Sequence, residues 1–414
     1  MHPILRLPKA HQKFSVKLEN SIAVVGLGYV GLPLAVAAAK SGYKVSGIDL
    51  NQDKVFNINN GKSPIEDIKD NEILDLLVRG QLYANSDFSE IRSADVVLIC
   101  VPTPLNRENM PDLSYLEGAI ESISAHLSKG TLIILESTVA PGTTRDFLVP
   151  LIQKNSRIDI TELDIVFSPE RIDPLNHKWN LKNTPKIVSG LTLKSRQRAI
   201  EFYSKFIDNL IECETLEVAE TAKLLENSFR LINISFINDV SIFCQKLGID
   251  VNAVISSAST KPYGFMPFYP SIGIGGHCIP VDPLYLANKA REIGAPTRFI
   301  DLADQINQEM PGYFVSRAEE KIGGLKGKKV LVIGVSYKQN IADVRETPVD
   351  SLITGLKQKG AQVSWHDDLV KEWNGEKSVT LSSDFDLAIL ATPHDYLDLK
   401  KLGNVPILNT RGSI

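Results

Sequence analysis

The chain has little net charge and no concentration of basic residues. Its 414 residues carry a formal net charge of −4 at pH 7, and lysine and arginine are scattered along it. This excludes the basic surface that a nucleic-acid-binding protein needs and the polybasic patch of a membrane-surface protein. We therefore expect the partner to be a small molecule, with neither nucleic acid nor a membrane involved.

Cysteine is also scarce, because only Cys100, Cys213, Cys244 and Cys278 occur, and they are widely spaced. No CxxC pair and no mixed histidine and cysteine cluster is present, which argues against a metal site. Reduced thiols are typical of a cytoplasmic protein, so we expect that compartment. Residues 1–20 are basic but lack an apolar core, and we interpret them as a lead-in rather than a signal peptide.

Charge is also absent from the apolar run Ser21–Ala39, which could be mistaken for a membrane span. Its length approaches the roughly 18 to 20 residues that span a bilayer. Three glycines and Pro33 interrupt it in the order of a nucleotide-binding turn. We therefore reject a membrane helix here.

Strand and helix signals alternate over the first 200 residues. Buried apolar runs at Ser21–Val25, Lys44–Ile48, Asp95–Cys100 and Thr131–Leu135 are separated by turns and helical segments. Near-continuous apolar strands joined by helices are typical of a parallel sheet covered on both faces. The pattern predicts a doubly wound, Rossmann-like domain over residues 21–200.

The strand signals stop between about Glu201 and Gly312. Leu216–Leu247 contains no proline or glycine and has apolar residues three and four positions apart, which predicts one long helix. At 1.5 Å per residue it would extend roughly 45 Å and bridge two domains. We predict a central helical region over residues 201–313 and a homodimer built on the long helix.

The last hundred residues repeat the opening pattern in weaker form. Lys329–Gly334 is similar to Ala23–Gly26, and Val363–Asp367 is similar to Val45–Asp49. Only Gly334 stands where the first domain has three glycines, so this turn cannot approach a pyrophosphate in the same way. We predict an α/β protein in which a second Rossmann-like domain, residues 314–414, binds something other than a dinucleotide.

A dinucleotide-binding turn follows the first strand. Its residues are Gly26, Leu27, Gly28, Tyr29, Val30 and Gly31. Gly26 permits the tight turn, Gly28 lets the backbone approach the pyrophosphate, and Gly31 brings the helix against the sheet. Asp49 ends the next strand, where its carboxylate can accept both ribose hydroxyls and repels a 2′-phosphate. Because no arginine stands beside Asp49, the sequence predicts NAD rather than NADP.

Lys223 and Asn227 lie four residues apart on the predicted long helix, so their side chains leave the same face. Such a pair is most often part of a solvated surface. Here the neighbouring residues are largely apolar. A lysine in that setting can stabilise an oxyanion, and an asparagine can orient a water or a hydroxyl.

Cys278 follows three glycines, at positions 273, 275 and 276. The other three cysteines lie in apolar or helical runs and are interpreted as buried hydrophobic residues. A glycine-rich loop gives Cys278 a backbone that a substrate can approach closely. Asp282, four residues further on, can manage protons, or else simply cap the turn before Pro283.

Several short motifs occur together in a fixed order. They are Gly26–Gly31, Val101–Pro104, Glu136–Thr138, Ser168–Glu170, Ala222–Asn227, Gly275–Asp282, Ser336–Lys338 and Asp343–Glu346. In this order they resemble the nucleotide-sugar 6-dehydrogenases of the UDP-glucose/GDP-mannose dehydrogenase family. The resemblance extends from about residue 20 to the C-terminus.

This resemblance implies an NAD-dependent four-electron oxidation of C6 of a UDP-sugar to the uronic acid. Cys278 would trap the intermediate aldehyde and carry a thioester, which suits a covalent mechanism that retains a reactive intermediate. Lys223 and Asn227 would hold the C6 oxygen, Asp282 with Thr138 would handle water, and Glu170 would transfer a proton.

Further binding residues follow from the same resemblance. Thr103, Thr138, Tyr29 and Val30 join the glycines and Asp49 as cofactor-binding candidates. Substrate-binding candidates, in addition to Glu170, Lys223 and Asn227, are Arg171, Tyr269, Gly275, Lys338 and Arg345. Lys338 and Arg345 would hold the UDP in the C-terminal domain.

Two departures from the glucose-oxidising members concern the sugar. Ser168–Glu170 continues into Arg171, Ile172, Asp173 and Pro174, and the cysteine loop ends in Pro280, Val281 and Asp282. Both are similar to the branch that acts on N-acetylated hexosamines. We expect UDP-N-acetylglucosamine as substrate, for a surface polysaccharide precursor, with UDP-glucose and the galacto and manno isomers as alternatives.

Other classes of protein fit less well. A short-chain epimerase or reductase needs Tyr-x-x-x-Lys, which occurs at Tyr285 and Tyr396, both outside the first nucleotide domain. A two-electron hydroxyacid dehydrogenase would use Lys223 and Asn227 without Cys278. A non-catalytic nucleotide sensor would keep the glycine turn and need none of these three.

Overall fold

The computed structural model describes residues 20–172, 176 and 178–412. The predicted lead-in therefore lies outside the described residues, apart from Asn20, as do Asp173 and Pro174 of the substrate motif. The chain divides into two compact units: residues up to Thr103 with Leu113–Glu220, and Pro104–Asp112 with Thr221–Ile414. The predicted boundaries at residues 200 and 313 stay predictions.

The first unit is built on one twisted sheet. Its strands are β1 (Ser21–Val25), β2 (Lys44–Ile48), β3 (Leu82–Asn85), β4 (Val96–Ile99), β5 (Leu132–Leu135), β6 (Asp164–Phe167), β7 (Lys186–Gly190) and β8 (Leu210–Glu212). They lie in the order β3-β2-β1-β4-β5-β6-β7-β8. The order reverses direction at β1 and β4, which places the first glycine turn at the switch point where doubly wound sheets bind nucleotides.

Helices cover this sheet, as predicted. They are α1 (Gly31–Lys40), α2 (Gln52–Asn59), α3 (Asp70–Val78), α4 (Ser114–Ser124), α5 (Val149–Asn155) and α6 (Leu193–Tyr203). All four residues of β4, β5 and β6 are buried. Their apolar side chains form the interior because a parallel sheet carries helices on both faces.

Two details of the sheet differ from the prediction. β7 runs antiparallel to β6, so the sheet is mixed rather than purely parallel. The expectation that no strand lies between about Glu201 and Gly312 is wrong, because Leu210–Glu212 pairs with β7. This edge strand is only three residues long and mostly exposed, too short to show a hydrophobic period.

The second unit combines long helices with a smaller sheet. Its helices are α7 (Leu216–Leu247, which starts in the first unit), α8 (Val251–Ala258), α9 (Asp282–Glu292), α10 (Arg298–Ile322) and α11 (Val349–Gln358). Its strands are β9 (Lys329–Ile333), β10 (Gln362–His366), β11 (Glu372–Trp373), β12 (Glu376–Lys377), β13 (Leu387–Leu390) and β14 (Ile407–Asn409).

The parallel sheet β10-β9-β13-β14 confirms the second Rossmann-like fold. The long helix α7 has the predicted bounds. The uncharged stretch Ser21–Ala39 forms β1, the glycine turn and most of α1. Within the described part of the chain, no helix is long and apolar enough to cross a bilayer.

Candidate active site

The glycine turn of the first unit has the geometry that a dinucleotide requires. Gly26 adopts a φ of +92°, and a Cβ on it would lie 2.7 Å from the carbonyl oxygen of Cys100. A Cβ on Gly31 would lie 1.9 Å from the carbonyl oxygen of Gly26, so only glycine lets α1 approach β1 this closely. Gly28 faces open space, which leaves its backbone accessible. These features fit a pyrophosphate placed at the N-terminus of α1.

Asp49 is anchored beside this turn. Its Oδ2 accepts the backbone N–H of Leu27 at 2.8 Å, and its Oδ1 accepts that of Asn51 at 3.0 Å. The Lys54 ammonium lies 2.6 Å from Oδ2, a contact that sequence analysis missed. The signal was present, because Lys54 occupies the first turn of the helix that follows Asp49. The local charge is therefore more balanced than the lack of an arginine suggested.

Thr103 and Thr138 meet at the carboxyl ends of β4 and β5. The Thr103 hydroxyl donates to the carbonyl oxygen of Thr138 at 2.8 Å, which joins the two loops at the rim of the nucleotide site. Tyr29 is partly exposed beside the turn. Their predicted contacts with NAD stay predictions.

Glu170 follows β6 at the same edge of the sheet. Its Oε1 accepts the backbone N–H groups of Arg171 and Ile172 at 2.6 and 2.8 Å. Its Oε2 is buried and accepts no hydrogen bond from a described residue. The Arg171 guanidinium donates to the carbonyl oxygen of Pro185 at 2.7 Å, so part of it supports the loop. Glu170 thus has one oxygen held by backbone N–H groups and one that is buried without a hydrogen-bond partner among the described residues.

The second unit brings three predicted catalytic residues together. Lys223, Asn227 and Asp282 are 8%, 7% and 4% exposed. The Asn227 amide donates to Oδ2 of Asp282 at 2.6 Å. Asp282 is the first residue of α9, where the helix dipole favours a carboxylate. The Lys223 ammonium makes no hydrogen bond or ion pair with any described residue, so it is available to a ligand.

Burial raises the pKa of Asp282 to about 6, although Lys223 and Asn227 act in the opposite direction. A carboxyl group with this pKa is largely ionised at neutral pH, and it accepts and releases a proton readily near that pH. General bases work best when their pKa lies near the working pH. The position and the pKa together suit proton transfer to and from water.

Cys278 has an exposed side chain, but surrounding protein atoms desolvate it. Desolvation and the Asp282 carboxylate raise the pKa of the Cys278 thiol. Three cations oppose this shift: Lys223, Arg345 and Arg230. The thiol is therefore accessible and surrounded by groups that can stabilise its anion. The other three cysteines are buried, as predicted.

The glycines before Cys278 serve a purpose other than the predicted one. A Cβ on Gly275 would lie 2.5 Å from the carbonyl oxygen of Glu346, and one on Gly276 would lie 2.8 Å from the Tyr337 ring. Their bare faces are thus filled by protein rather than left open to a substrate. The N–H of Gly276 also donates to the carbonyl oxygen of Arg345 at 3.1 Å. Glycine is needed here because the cysteine loop packs tightly on the segment after β9.

The predicted UDP-binding residues lie in the same unit. Arg345 forms a two-pronged ion pair with Asp343 and acts electrostatically on Cys278, so the structure places it beside the cysteine loop. Lys338 is half-buried in the loop after β9, and Tyr269 is 51% exposed. Their roles in binding the nucleotide stay predictions.

Arg230 was missed by sequence analysis. It is exposed, and its positive charge opposes the rise in the pKa of the Cys278 thiol. Residues are about 100° apart around a helix, so Lys223, Asn227 and Arg230 fall within an arc of about 60°. The i, i+4, i+7 spacing on α7 was the signal that could have found it.

Comparison with known proteins identifies the family. Three domain profiles match in succession: the NAD binding domain at residues 20–207, the central domain at 217–309 and the UDP binding domain at 331–411. The chain belongs to the UDP-glucose/GDP-mannose dehydrogenase family. It is therefore an NAD-dependent nucleotide-sugar dehydrogenase whose substrate is a UDP-sugar.

Individual relatives cover nearly the whole chain. The chain is 34% identical to UDP-N-acetyl-D-glucosamine 6-dehydrogenase of Salmonella typhi, over 94% of this chain and 93% of that protein. It is 35% identical to UDP-N-acetyl-D-mannosamine dehydrogenase of Methanococcus maripaludis, over 86% and 81%. The solved UDP-D-ManNAc dehydrogenase of Pyrococcus horikoshii superposes with a TM-score of 0.87 at 30% identity, over 94% and 95%.

Proposed function

We propose that the enzyme oxidises C6 of a UDP-N-acetylhexosamine, best UDP-N-acetylglucosamine, to the uronic acid. Two NAD molecules would be consumed for each sugar, and the product would serve as a precursor of a surface polysaccharide. The observation that carries the proposal is the grouping of an accessible thiol with Lys223, Asn227 and Asp282 in one unit. A two-electron alcohol dehydrogenase has no use for that thiol.

When bound, NAD supplies the hydride acceptor for both oxidations, and the glycine turn with Asp49 and Lys54 would hold it. The first oxidation removes a hydride from C6, which NAD would accept, and the O6 proton, which a water molecule would accept, and it gives the aldehyde. Cys278 adds to the C6 aldehyde: a carbon–sulfur bond forms, the thiol proton passes to O6, and a thiohemiacetal results. Lys223 and the second amide hydrogen of Asn227 stabilise negative charge on O6 as it develops. The C6 hydride would then be accepted by the second NAD and the O6 proton by a water molecule, so that the thiohemiacetal becomes a thioester.

Asp282 completes the reaction by activating water. It takes a proton as the water oxygen attacks the thioester carbon, and the proton returns to sulfur when Cys278 leaves. Thr138 and Glu170, placed at the rim of the nucleotide site in the first unit, would orient water and transfer a proton. Trapping the aldehyde on sulfur prevents its escape and divides one difficult oxidation into easier steps.

The preference for an N-acetylated sugar rests on local sequence and on relatives. Arg171 and Ile172 follow Glu170, and Val281 precedes Asp282, in the manner of hexosamine enzymes. The Salmonella and Methanococcus relatives carry names for the gluco and manno N-acetylated substrates. We favour the gluco isomer because the segment Met266–Pro270, which precedes the glycines of the cysteine loop, resembles enzymes that use UDP-N-acetylglucosamine more than those that use the galacto or manno isomers.

A substrate panel tests this preference. We expect kcat/KM to be highest for UDP-N-acetylglucosamine and at least tenfold lower for UDP-glucose, a difference of about 1.4 kcal/mol in transition-state binding. A higher value for the galacto or manno isomer would contradict the gluco assignment alone. A higher value for UDP-glucose would contradict the choice of an N-acetylated sugar.

We further propose that the enzyme is a homodimer formed through α7. Exposed apolar side chains on this helix are Val218, Leu225, Phe229, Phe236, Phe243 and Leu247, which are 46 to 62% exposed. They lie about 200° to 240° around the helix from Lys223, opposite the catalytic face. An apolar stripe of this length suits a second copy of the same helix, since exposed contiguous apolar surface marks an interface.

Sedimentation velocity tests the dimer. Phe236→Glu combined with Phe243→Glu places charges on the stripe and should give monomers. Phe56→Glu, at a residue 68% exposed on α2, is the matched control and should remain dimeric. A double variant that sediments like the unmodified protein would contradict the proposal.

The predicted domains and compartment are also retained as proposals. We propose that residues 21–200 bind NAD, 201–313 supply the dimer contact and Cys278, and 314–414 bind UDP. The four cysteines are free thiols, which supports a reducing, cytoplasmic setting. The described residues contain no group of acidic, histidine and cysteine side chains able to hold a metal ion.

A further inference from the structure

The first unit contains a buried charged cluster that the reaction scheme does not use. Glu136, Lys186 and Tyr203 are 1%, 4% and 0% exposed. Glu136 follows β5, Lys186 begins β7, and Tyr203 ends α6. Buried charges destabilise a fold unless they are paired and fully hydrogen-bonded. Each charged group of this cluster therefore needs a partner.

The Lys186 ammonium is held on three sides. It donates to Oε2 of Glu136 at 2.7 Å and to the carbonyl oxygens of Ser168 and Pro169 at 3.3 and 3.2 Å. The Tyr203 hydroxyl donates to the other oxygen of Glu136. Burial alone would lower the pKa of Lys186, but Glu136 and Glu170 outweigh it and the pKa is raised. These contacts fix the position of the Lys186 ammonium and favour its charged form.

Glu170 is the second carboxylate that faces this cation. Its Oε2 lies 3.8 Å from the Lys186 ammonium, and the three ammonium hydrogens are already directed at other acceptors. The contact is thus a charge interaction rather than a hydrogen bond. Because two backbone N–H groups hold the other oxygen, the carboxylate is oriented, and the buried Oε2 keeps its lone pairs for a small donor such as a water molecule.

We propose that Lys186, fixed by Glu136, is a positioning residue for Glu170. Its charge, 3.8 Å from Oε2, holds the carboxylate in the orientation needed for proton transfer, without Lys186 itself contacting the substrate. The inference rests on the proposed function, in which Glu170 transfers a proton. A purely structural ion pair would need only Glu136 and Lys186, and its removal as a pair would leave the chemistry intact.

Charge deletion with and without the partner separates these two roles. Lys186→Met alone leaves Glu136 buried and unpaired, which is strongly destabilising. Lys186→Met with Glu136→Gln removes both charges and should restore the thermal midpoint. We expect this double variant to keep a kcat reduced by about tenfold or more, since acid–base catalysis contributes about 10² to 10⁴. KM for NAD should stay within twofold, and Lys186→Arg should recover most of kcat.

A mutant cycle completes the test. Glu170→Gln is introduced alone and together with the double variant, and kcat is measured with NAD and the best UDP-sugar of the panel. If Lys186 acts through Glu170, the double variant should lose little further kcat when Glu170→Gln is added. Losses that multiply, or a double variant with full kcat, would overturn the inference. Lys186→Gln, which lacks the charge but can still donate to Glu136, gives the same comparison if the double variant fails to fold.

Failure of the proposed function gives a different result from failure of the inference about Lys186. If Glu170→Gln alone retains full kcat, the proton-transfer role of Glu170 is wrong, and the inference is overturned together with it. If Glu170→Gln is impaired but Lys186 variants are not, the inference alone is wrong.

Discussion

Replacement of Asp282 by asparagine should stabilise the protein and inactivate it at the same pH. The change keeps the size of the side chain, and its carbonyl oxygen can still accept the hydrogen bond from Asn227. It removes a negative charge that is 4% exposed and whose pKa burial raises from 3.8 to about 6. Burial of the ionised Asp282 carboxylate therefore lowers the stability of the folded protein.

The size of that cost follows from the pKa. A rise of about two pKa units corresponds to about 3 kcal/mol. Because the folded-state pKa is raised, the folded protein binds more protons than the unfolded chain between about pH 4 and 6, and stability falls as the pH rises through this window. About 2 kcal/mol of the loss falls between pH 4.5 and 7.5 by the same linkage. Asp282→Asn has no carboxyl group to ionise at this position, so it lacks this pH-dependent loss of stability.

Urea unfolding at pH 4.5 and pH 7.5 measures the effect, with fluorescence of Trp365 and Trp373, which lie in contact in the second unit. The stability of Asp282→Asn relative to the unmodified protein should improve by about 2 kcal/mol between the two pH values. Asp208→Asn, at an exposed residue of the first unit, is the control and should show no such change. An equal difference at both pH values for Asp282→Asn would refute the assigned burial cost.

The same variant tests the chemistry. In the unmodified enzyme, kcat should rise about tenfold between pH 5 and pH 7, because the ionised fraction of a base with a pKa near 6 rises from about one-tenth to about nine-tenths. Asp282→Asn should lower kcat by about 10² or more and lose this acid limb. Retention of the limb would show that another group titrates.

Three further substitutions test the binding and covalent steps. Gly31→Ala inserts a Cβ 1.9 Å from a backbone oxygen and should weaken NAD binding more than tenfold by fluorescence titration, whereas Gly118→Ala, whose Cβ meets nothing within 4 Å, should not. Asp49→Ala removes the carboxylate that repels a 2′-phosphate and leaves the Lys54 ammonium unpaired. The ratio of kcat/KM with NAD to kcat/KM with NADP should therefore fall by tenfold or more, and an unchanged ratio would show that Asp49 does not contact the ribose. Cys278→Ser should lower uronate release by more than about 10³ with unchanged NAD binding, and full turnover would exclude the thioester.

Much of the fold follows from local sequence patterns. Leu216–Leu247 could be delimited because it lacks helix-breaking residues and keeps a helical apolar period throughout. The glycine turn and Asp49 were identifiable because their spacing reflects one compact strand, turn and helix unit. The three-residue strand Leu210–Glu212 and the antiparallel β7 were not, since pairing partners decide both.

The candidate site divides in the same way. Lys223 and Asn227 share a helix face, so their proximity is visible from spacing alone, while the approach of Asp282 depends on the packing of α9. The partnership of Glu136 with Lys186 joins residues 50 positions apart and leaves no periodic signal. The glycines before Cys278 were recognised as necessary but for the wrong reason, because Tyr337 and Glu346, which fill the space beside them, lie far away in sequence.

The central claim is a four-electron oxidation carried out on a single cysteine. With UDP-N-acetylglucosamine limiting and NAD in excess, the absorbance of NADH at completion gives the number of hydrides removed from each sugar. We expect two NADH and one uronic acid for each sugar consumed. One NADH for each sugar, with release of the aldehyde, would contradict it.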